Sequence, residues 1–182
     1  MTLRKPKLLE RDQLLNLALR ALGGRAYSTG ELKEKLRQRA ARAEDVDAVV
    51  AKLKQDGYLD DRRFAEQYAV SRLENEGFGK IRVLRDLRQR RVAGKLAEQV
   101  TERTYKDTNE TRLIEDFLKR KYRGKQLASF LAEQKNLAGA YRRLRYAGFS
   151  AGASIRVLKR FAAEPEALDA LESDEREDDA NA

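Results

Sequence analysis

The stretch Gly57-Tyr58-Leu59-Asp60-Asp61-Arg62-Arg63-Phe64-Ala65 decides the fold of this chain. It closes one helix and opens the next. Gly57 follows the apolar run Val46, Val49, Val50, Leu53 and suits the left-handed conformation that ends a helix. Asp60 stands at the N-cap position, where its carboxylate accepts backbone N–H groups of the first turn. Leu59 and Phe64 have the spacing of a hydrophobic staple, and Asp61 places negative charge at the positive end of the helix dipole. The joint residues Gly57, Tyr58, Leu59, Asp60, Asp61 and Phe64 therefore set the angle between consecutive helical units.

Outward from this joint, helical periodicity is nearly continuous between Pro6 and Pro165, the two prolines of the chain, and strand alternation does not persist. The pattern predicts helices over about 11–22, 28–40 (capping box Ser28/Glu31), 44–56, 61–76, 80–91 and 94–105. The expected buried positions are Leu14, Leu15, Ala18, Leu19 and Leu22 in the first helix, and Leu32 and Leu36 in the second. The fourth is expected to bury Phe64, Ala65, Tyr68 and Leu73, and the fifth Ile81, Leu84 and Leu87. Beyond these, 112–122 reads as helical, Arg123-Gly124 interrupts, 126–133 is irregular, 137–147 is helical to Gly148, and Ser150 caps a last helix using Ile155, Leu158 and Phe161.

An internal repeat underlies the pattern. Leu36-Arg37-Gln38-Arg39 recurs 51 residues on as Leu87-Arg88-Gln89-Arg90, and the same offset takes Val49 to Val100. Leu144-Arg145 lies 57 residues beyond Leu87-Arg88, as Val157 does beyond Val100. The expectation is an all-α protein of three tandem three-helix repeats in an elongated, curved array. The repeats span 10–57, 58–106 and 107–163, between a flexible basic segment 1–9 and an acidic, disordered tail 164–182.

Composition narrows the function. The chain of 182 residues has no Cys and no His, which removes disulfides, thiol nucleophiles, imidazole acid–base catalysis and zinc sites built on those ligands. The basic start Met1-Thr2-Leu3-Arg4-Lys5 is followed by no apolar h-region, so no secretory signal is expected, and no 18-residue apolar run indicates a transmembrane helix; mean hydropathy is −0.76, and the absence of cysteine fits the cytoplasm. The formal net charge is +9; the tail from Glu164 holds nine acidic residues and one Arg, a net of −8, so residues 1–163 carry +17. A body this basic expects a polyanion or an acidic protein surface as its partner.

The middle helix of each repeat is the most basic. It presents Lys33, Lys35, Arg37 and Arg39 in the first repeat, Arg82, Arg85, Arg88, Arg90 and Arg91 in the second, and Arg142, Arg143 and Arg145 in the third. Arg82, Arg85 and Gln89 form a stripe facing away from Ile81, Leu84 and Leu87. Arginine forks suit carboxylate or phosphate, although any single one also fits a solvated, ion-paired helix face. Tyr58 and Tyr68 read as packing residues at helix joints. Tyr141 and Tyr146, beside Arg142, Arg143 and Arg145, fit either packing or stacking on bases. Asp60-Asp61 is explained by capping rather than by a metal, and Gly77-Phe78-Gly79-Lys80 by a helix break rather than a phosphate loop. A helix-turn-helix reader of duplex DNA lacks any sign of a symmetric dimer.

GYLDDRRFA at 57–65, preceded by Ser28-Thr29-Gly30-Glu31-Leu32 and Lys35-Leu36 and followed by Gly79-Lys80-Ile81-Arg82 with Leu84 and Leu87, resembles the RecX family from about Leu14 to Phe161. The resemblance implies tandem three-helix repeats and a modulator of the RecA recombinase in recombination and repair; the missing Cys and His chemistry leads us to expect no enzyme and no cofactor, the hydropathy no membrane, and the expected state is a monomer. RecA filaments are the implied partner, and single-stranded DNA a further one. The alternative is a sequence-independent binder of single-stranded DNA or RNA acting without RecA. The middle-helix cations are then the expected contact surface, and the acidic tail a candidate competitor for it. The irregular Gly124-to-Asn136 segment and the long acidic terminus depart from the family pattern.

Overall fold

The computed structural model describes residues 8–162 and Leu168. The expectations for segment 1–9, apart from Leu8 and Leu9, and for tail 164–182, apart from Leu168, lie outside the described residues. Ten α-helices are described: α1 Arg11–Gly24, α2 Thr29–Arg37, α3 Ala43–Gln55, α4 Asp61–Ser71, α5 Lys80–Gln89, α6 Gly94–Tyr105, α7 Glu110–Lys121, α8 Leu127–Ala132, α9 Gln134–Tyr146 and α10 Ala151–Leu158. A π-helical turn, Arg72–Glu76, continues α4 and ends at Gly77. The described residues hold no strand, only an isolated bridge between Leu9 and Ala40. The fold is an all-α array of helical repeats.

The chain divides into two compact units. The first holds residues up to Ala69 together with Asp86–Val100, and the second holds Val70–Arg85 together with everything from Thr101. Helices α4, α5 and α6 each contribute residues to both.

In the first unit, Leu14 and Ala18 of α1, Leu32 and Leu36 of α2, and Val46, Val49, Val50 and Leu53 of α3 close one core with Leu59. Leu19, expected inside, is 37% exposed, because α1 needs only the narrow face around Leu14 and Ala18 to cover α2 and α3. The joint forms as its residues dictate. Gly57 has φ +76, its N–H donates to Lys54 O, and the Tyr58 N–H donates to Leu53 O, a Schellman closure. Asp60 accepts from the Arg63 N–H at 3.0 Å, and Leu59 and Phe64 are buried. Tyr58, expected to pack, is 55% exposed: the staple uses its neighbours and leaves the ring at the rim of a cleft.

Ser28 and Glu31 form the expected capping box on α2. Asp61 serves this same helix start, accepting from the Thr29 N–H at 2.6 Å, a role that sequence reading does not assign. The end of α5 docks here. The Ser28 hydroxyl donates to the Arg90 carbonyl, and a Cβ at Gly30 would sit 2.5 Å from Arg91 Cβ and 2.6 Å from its carbonyl oxygen. Arg91 has φ +58 in a Schellman closure, its N–H donating to Arg88 O and the Val92 N–H to Leu87 O.

The second unit repeats this docking in backbone alone. Gly148, φ +89, closes α9, with its N–H on Arg145 O and the Phe149 N–H on Leu144 O. The first turn of α5 meets this end: the Gly79 N–H donates to Ala147 O at 2.8 Å and the Ile81 N–H to Gly148 O at 3.2 Å. A Cβ on either Gly79 or Gly148 would run into backbone of the other segment. The core of this unit gathers Ile114, Phe117 and Leu118 of α7, Leu131 of α8, Leu137, Tyr141 and Leu144 of α9, and Ile155, Val157 and Leu158 of α10, with Phe149 and Leu168. Ser150 caps α10, and its N–H and hydroxyl both donate to Glu110 at the start of α7, at 2.7 and 2.8 Å. The irregular segment 126–133 is the short helix α8, packed on α9.

Two substitutions test this docking by thermal denaturation. Gly148→Ala puts a Cβ against the Arg82 backbone at a left-handed φ and is expected to cost about 3 kcal/mol or more. Arg91→Gly removes a non-glycine left-handed residue and is expected to stabilise by about 1 kcal/mol.

Candidate polyanion interface

On α5 an ideal turn of 100° per residue sets Ile81 roughly 160° from Val83. The fold buries Val83 and Leu87, so Ile81 is 51% exposed and Leu84 half-buried, contrary to the expected apolar face of Ile81, Leu84 and Leu87. The whole stripe rotates with it. Arg85, Arg88 and Gln89 point outward, whereas Arg82 is half-buried. Its guanidinium lies 3.8 Å from the centroid of Phe78 and 4.9 Å from that of Tyr146. Arg82 is therefore part of a packed stack and not of an open stripe.

The first unit places its cations in two groups. Lys35, Arg37 and Arg39 are exposed at the end of α2 and just beyond it. Lys33 is half-buried and paired with Asp47, whose carboxyl that hydrogen bond holds below its ordinary range. Arg88 pairs with Glu98 at 2.6 Å. Arg90 is half-buried, 3.3 Å from Glu31 and 4.8 Å from the Tyr68 ring, and Glu31 also meets Arg25 at 3.3 Å. Tyr68 packs as expected, half-buried against Phe64 and donating to Asp86 at 3.3 Å. Arg90 thus helps hold the α2 start, and Arg91 pairs with Glu34 at 3.7 Å.

The second unit holds Arg82, Arg85, Arg142, Arg143 and Arg145, of which Arg82 and Arg85 lie 4.9 and 5.8 Å from the centroid of the Tyr146 ring. Arg142 and Arg143 are exposed, the latter 3.3 Å from the Tyr122 hydroxyl. Arg145 is half-buried and donates to Phe149 O at 2.7 Å, which fixes the chain after Gly148. Tyr141 is 2% exposed and Tyr146 67% exposed, so the two tyrosines left open by the sequence separate into a core residue and a surface ring.

A cavity of about 540 Å³ opens beside Tyr146 and is lined by Phe78, Arg82, Arg120, Lys121 and Arg143 among others. Arg120 is absent from the sequence-based set. It donates to Asn75 O at 3.2 Å and Glu76 O at 2.8 Å, the open carbonyls at the end of the π-helical turn, and a Cβ at Gly77 would strike its guanidinium. Three consecutive cations, Lys119-Arg120-Lys121, at the end of α7 were the available signal. Nearby, burial pushes the Tyr105 phenol well above its ordinary pKa; its hydroxyl donates to Phe78 O at 2.7 Å and anchors the segment before α5. Among the described residues no cluster of three or more acidic side chains is arranged to hold a metal, and no helix is long and apolar enough to cross a membrane.

Models of the first and second three-helix domains of RecX match residues 15–53 and 60–100. The regulatory protein RecX of Trichlorobacter lovleyi is 35% identical over 107 residues, which are 59% of this chain and 70% of that protein. The chain belongs to the RecX family. Its RecX relative in Deinococcus radiodurans is 34% identical over 121 residues, 64% of this chain but 56% of that protein's length. The RecX of Escherichia coli strain SE11 is 31% identical over 132 residues, 67% of this chain and 77% of that protein. The crystal structure of RecX from Lactobacillus salivarius superposes with a TM-score of 0.62 at 18% identity, covering 83% of this chain and 96% of the other, and so shares the RecX fold. Family membership makes this a regulatory protein of helical repeats.

The two arginines of the original stripe are expected to behave differently. Arg82→Ala should lower stability by about 1–3 kcal/mol through loss of its two ring contacts, whereas Arg85→Ala on the exposed face should stay within about 0.5 kcal/mol, both read from denaturant midpoints.

Proposed function

We propose that this chain binds the RecA–DNA filament in the cytoplasm, without catalysis of its own, and restrains recombinase activity in DNA repair and recombination. The observation that carries this reading is the exposure of cations on or just beyond the middle helices in a member of the RecX family: Lys35, Arg37 and Arg39 in the first unit, and Arg85, Arg142 and Arg143 in the second. Weak contacts made in series by tandem repeats add up through avidity when the partner is itself a repeating polymer. Ion-paired Lys33 and Arg88 contribute to the local potential less than these, and Arg82, Arg90 and Arg145 act mainly by holding the fold. The division into repeats 10–57, 58–106 and 107–163 supplies the spacing of such contacts.

A second reading, binding of single-stranded DNA or RNA without RecA, is favoured by the exposed ring of Tyr146 among arginines. The two differ in salt response. About six phosphate contacts to a single strand lose roughly a few hundredfold in affinity between about 50 and 200 mM salt. In co-sedimentation, preformed RecA filaments should retain the protein at salt concentrations that release it from bare single-stranded DNA. Lys35→Gln/Arg37→Gln/Arg39→Gln should weaken filament retention while lowering the melting temperature by no more than about a few degrees. Identical salt dependence on both polymers would remove the filament reading in favour of the second.

A further inference from the structure

The cavity beside Tyr146 lies wholly in the second unit and combines two kinds of wall. One is a stack in which the Arg82 guanidinium lies against Phe78, with the Tyr146 ring next to it and largely open to solvent. The other is cationic: Arg120, held in place by two backbone carbonyls, with Lys121 and Arg143, both exposed. The carboxylate on the rim, Glu76, is paired with Arg72 at 3.4 Å and so takes little from this positive potential.

We propose that this groove binds one nucleotide step of a single nucleic-acid strand, the base stacking on the exposed Tyr146 ring beside Arg82 and the flanking phosphates meeting Arg120, Lys121 and Arg143. The chemistry selects this ligand in three ways. A cavity of about 540 Å³ is within the range that encloses a small planar group. An exposed aromatic face beside guanidinium planes offers π-stacking that an acidic peptide does not use. The faces of duplex bases are already occupied by neighbouring bases, so a platform of this kind engages unpaired ones. Stacking carries no base code, so recognition is independent of sequence. The inference rests on the single-strand reading above and is separate from the filament reading, since no part of it requires the recombinase.

The test is fluorescence anisotropy of the full chain with a labelled oligothymidylate and with an abasic strand of the same length. The wild type should bind the base-bearing strand more tightly. Tyr146→Ala should weaken that binding roughly 5- to 150-fold, towards the abasic level, and leave abasic binding unchanged. Tyr146→Phe should retain the preference. Lys121→Ala/Arg143→Ala should weaken both strands and reduce the salt slope by about 1.4. Equal wild-type affinity for the two strands would overturn the stacking groove while leaving single-strand binding intact; binding to neither would overturn both. Competition by polyglutamate that disappears in Tyr146→Ala would assign the groove to an acidic peptide instead and overturn the proposal.

Discussion

The rest of the structure depends on a close approach between the end of one middle helix and the start of another. A helix end leaves carbonyls without intrahelical partners, and a helix start leaves amides without them. In the second unit these groups satisfy each other directly, Gly79 and Ile81 N–H on Ala147 and Gly148 O. In the first unit the Ser28 hydroxyl takes the Arg90 carbonyl, and Asp61 takes the Thr29 amide. Opposed dipole ends add to the attraction. This approach works only without side-chain atoms at the contact, which is why Gly30, Gly79 and Gly148 stand there. Arg91 occupies the place of a glycine at a left-handed φ, a strain its Schellman bonds help to hold.

The docking also explains how a basic chain of this size distributes its charge. Cations near the docked ends are used inside the fold: Arg90 on Glu31 and Tyr68, Arg145 on the Phe149 carbonyl, Arg82 on Phe78 and Tyr146. Cations further along the same helices face water. Exposed ion pairs such as Arg88–Glu98 add little stability, so their residues are cheap to redeploy, whereas the half-buried ones are not. The open cationic surface is therefore smaller than the list of basic residues, and Arg120 and Lys121, from a helix outside the middle-helix pattern, line the cavity beside Tyr146.

Much of this was legible in the sequence. Caps act locally, and those at Ser28, Asp60 and Ser150 form as their spacing requires. Repeat offsets also hold in three dimensions: Leu36, Leu87 and Leu144 are fully buried, as nearly are Val49, Val100 and Val157. The errors fall where two faces of one helix are both partly apolar. Ile81 and Val83 are equally good core candidates by composition, and choosing the first rotated the arginine stripe. Tyr141 and Tyr146, five residues apart, were indistinguishable for the same reason.

By itself the sequence determined the helices other than α8, their caps, the repeat, the excess of positive charge and the family, because each rests on local spacing, on recurrence along the chain or on composition. Only the tertiary structure decided which arginines face water, that Asp61 caps a helix thirty-two residues upstream, and that Arg120 and Tyr146 share one groove. Those outcomes depend on the rotation of each helix about its axis, and that rotation is set by partners distant in the chain.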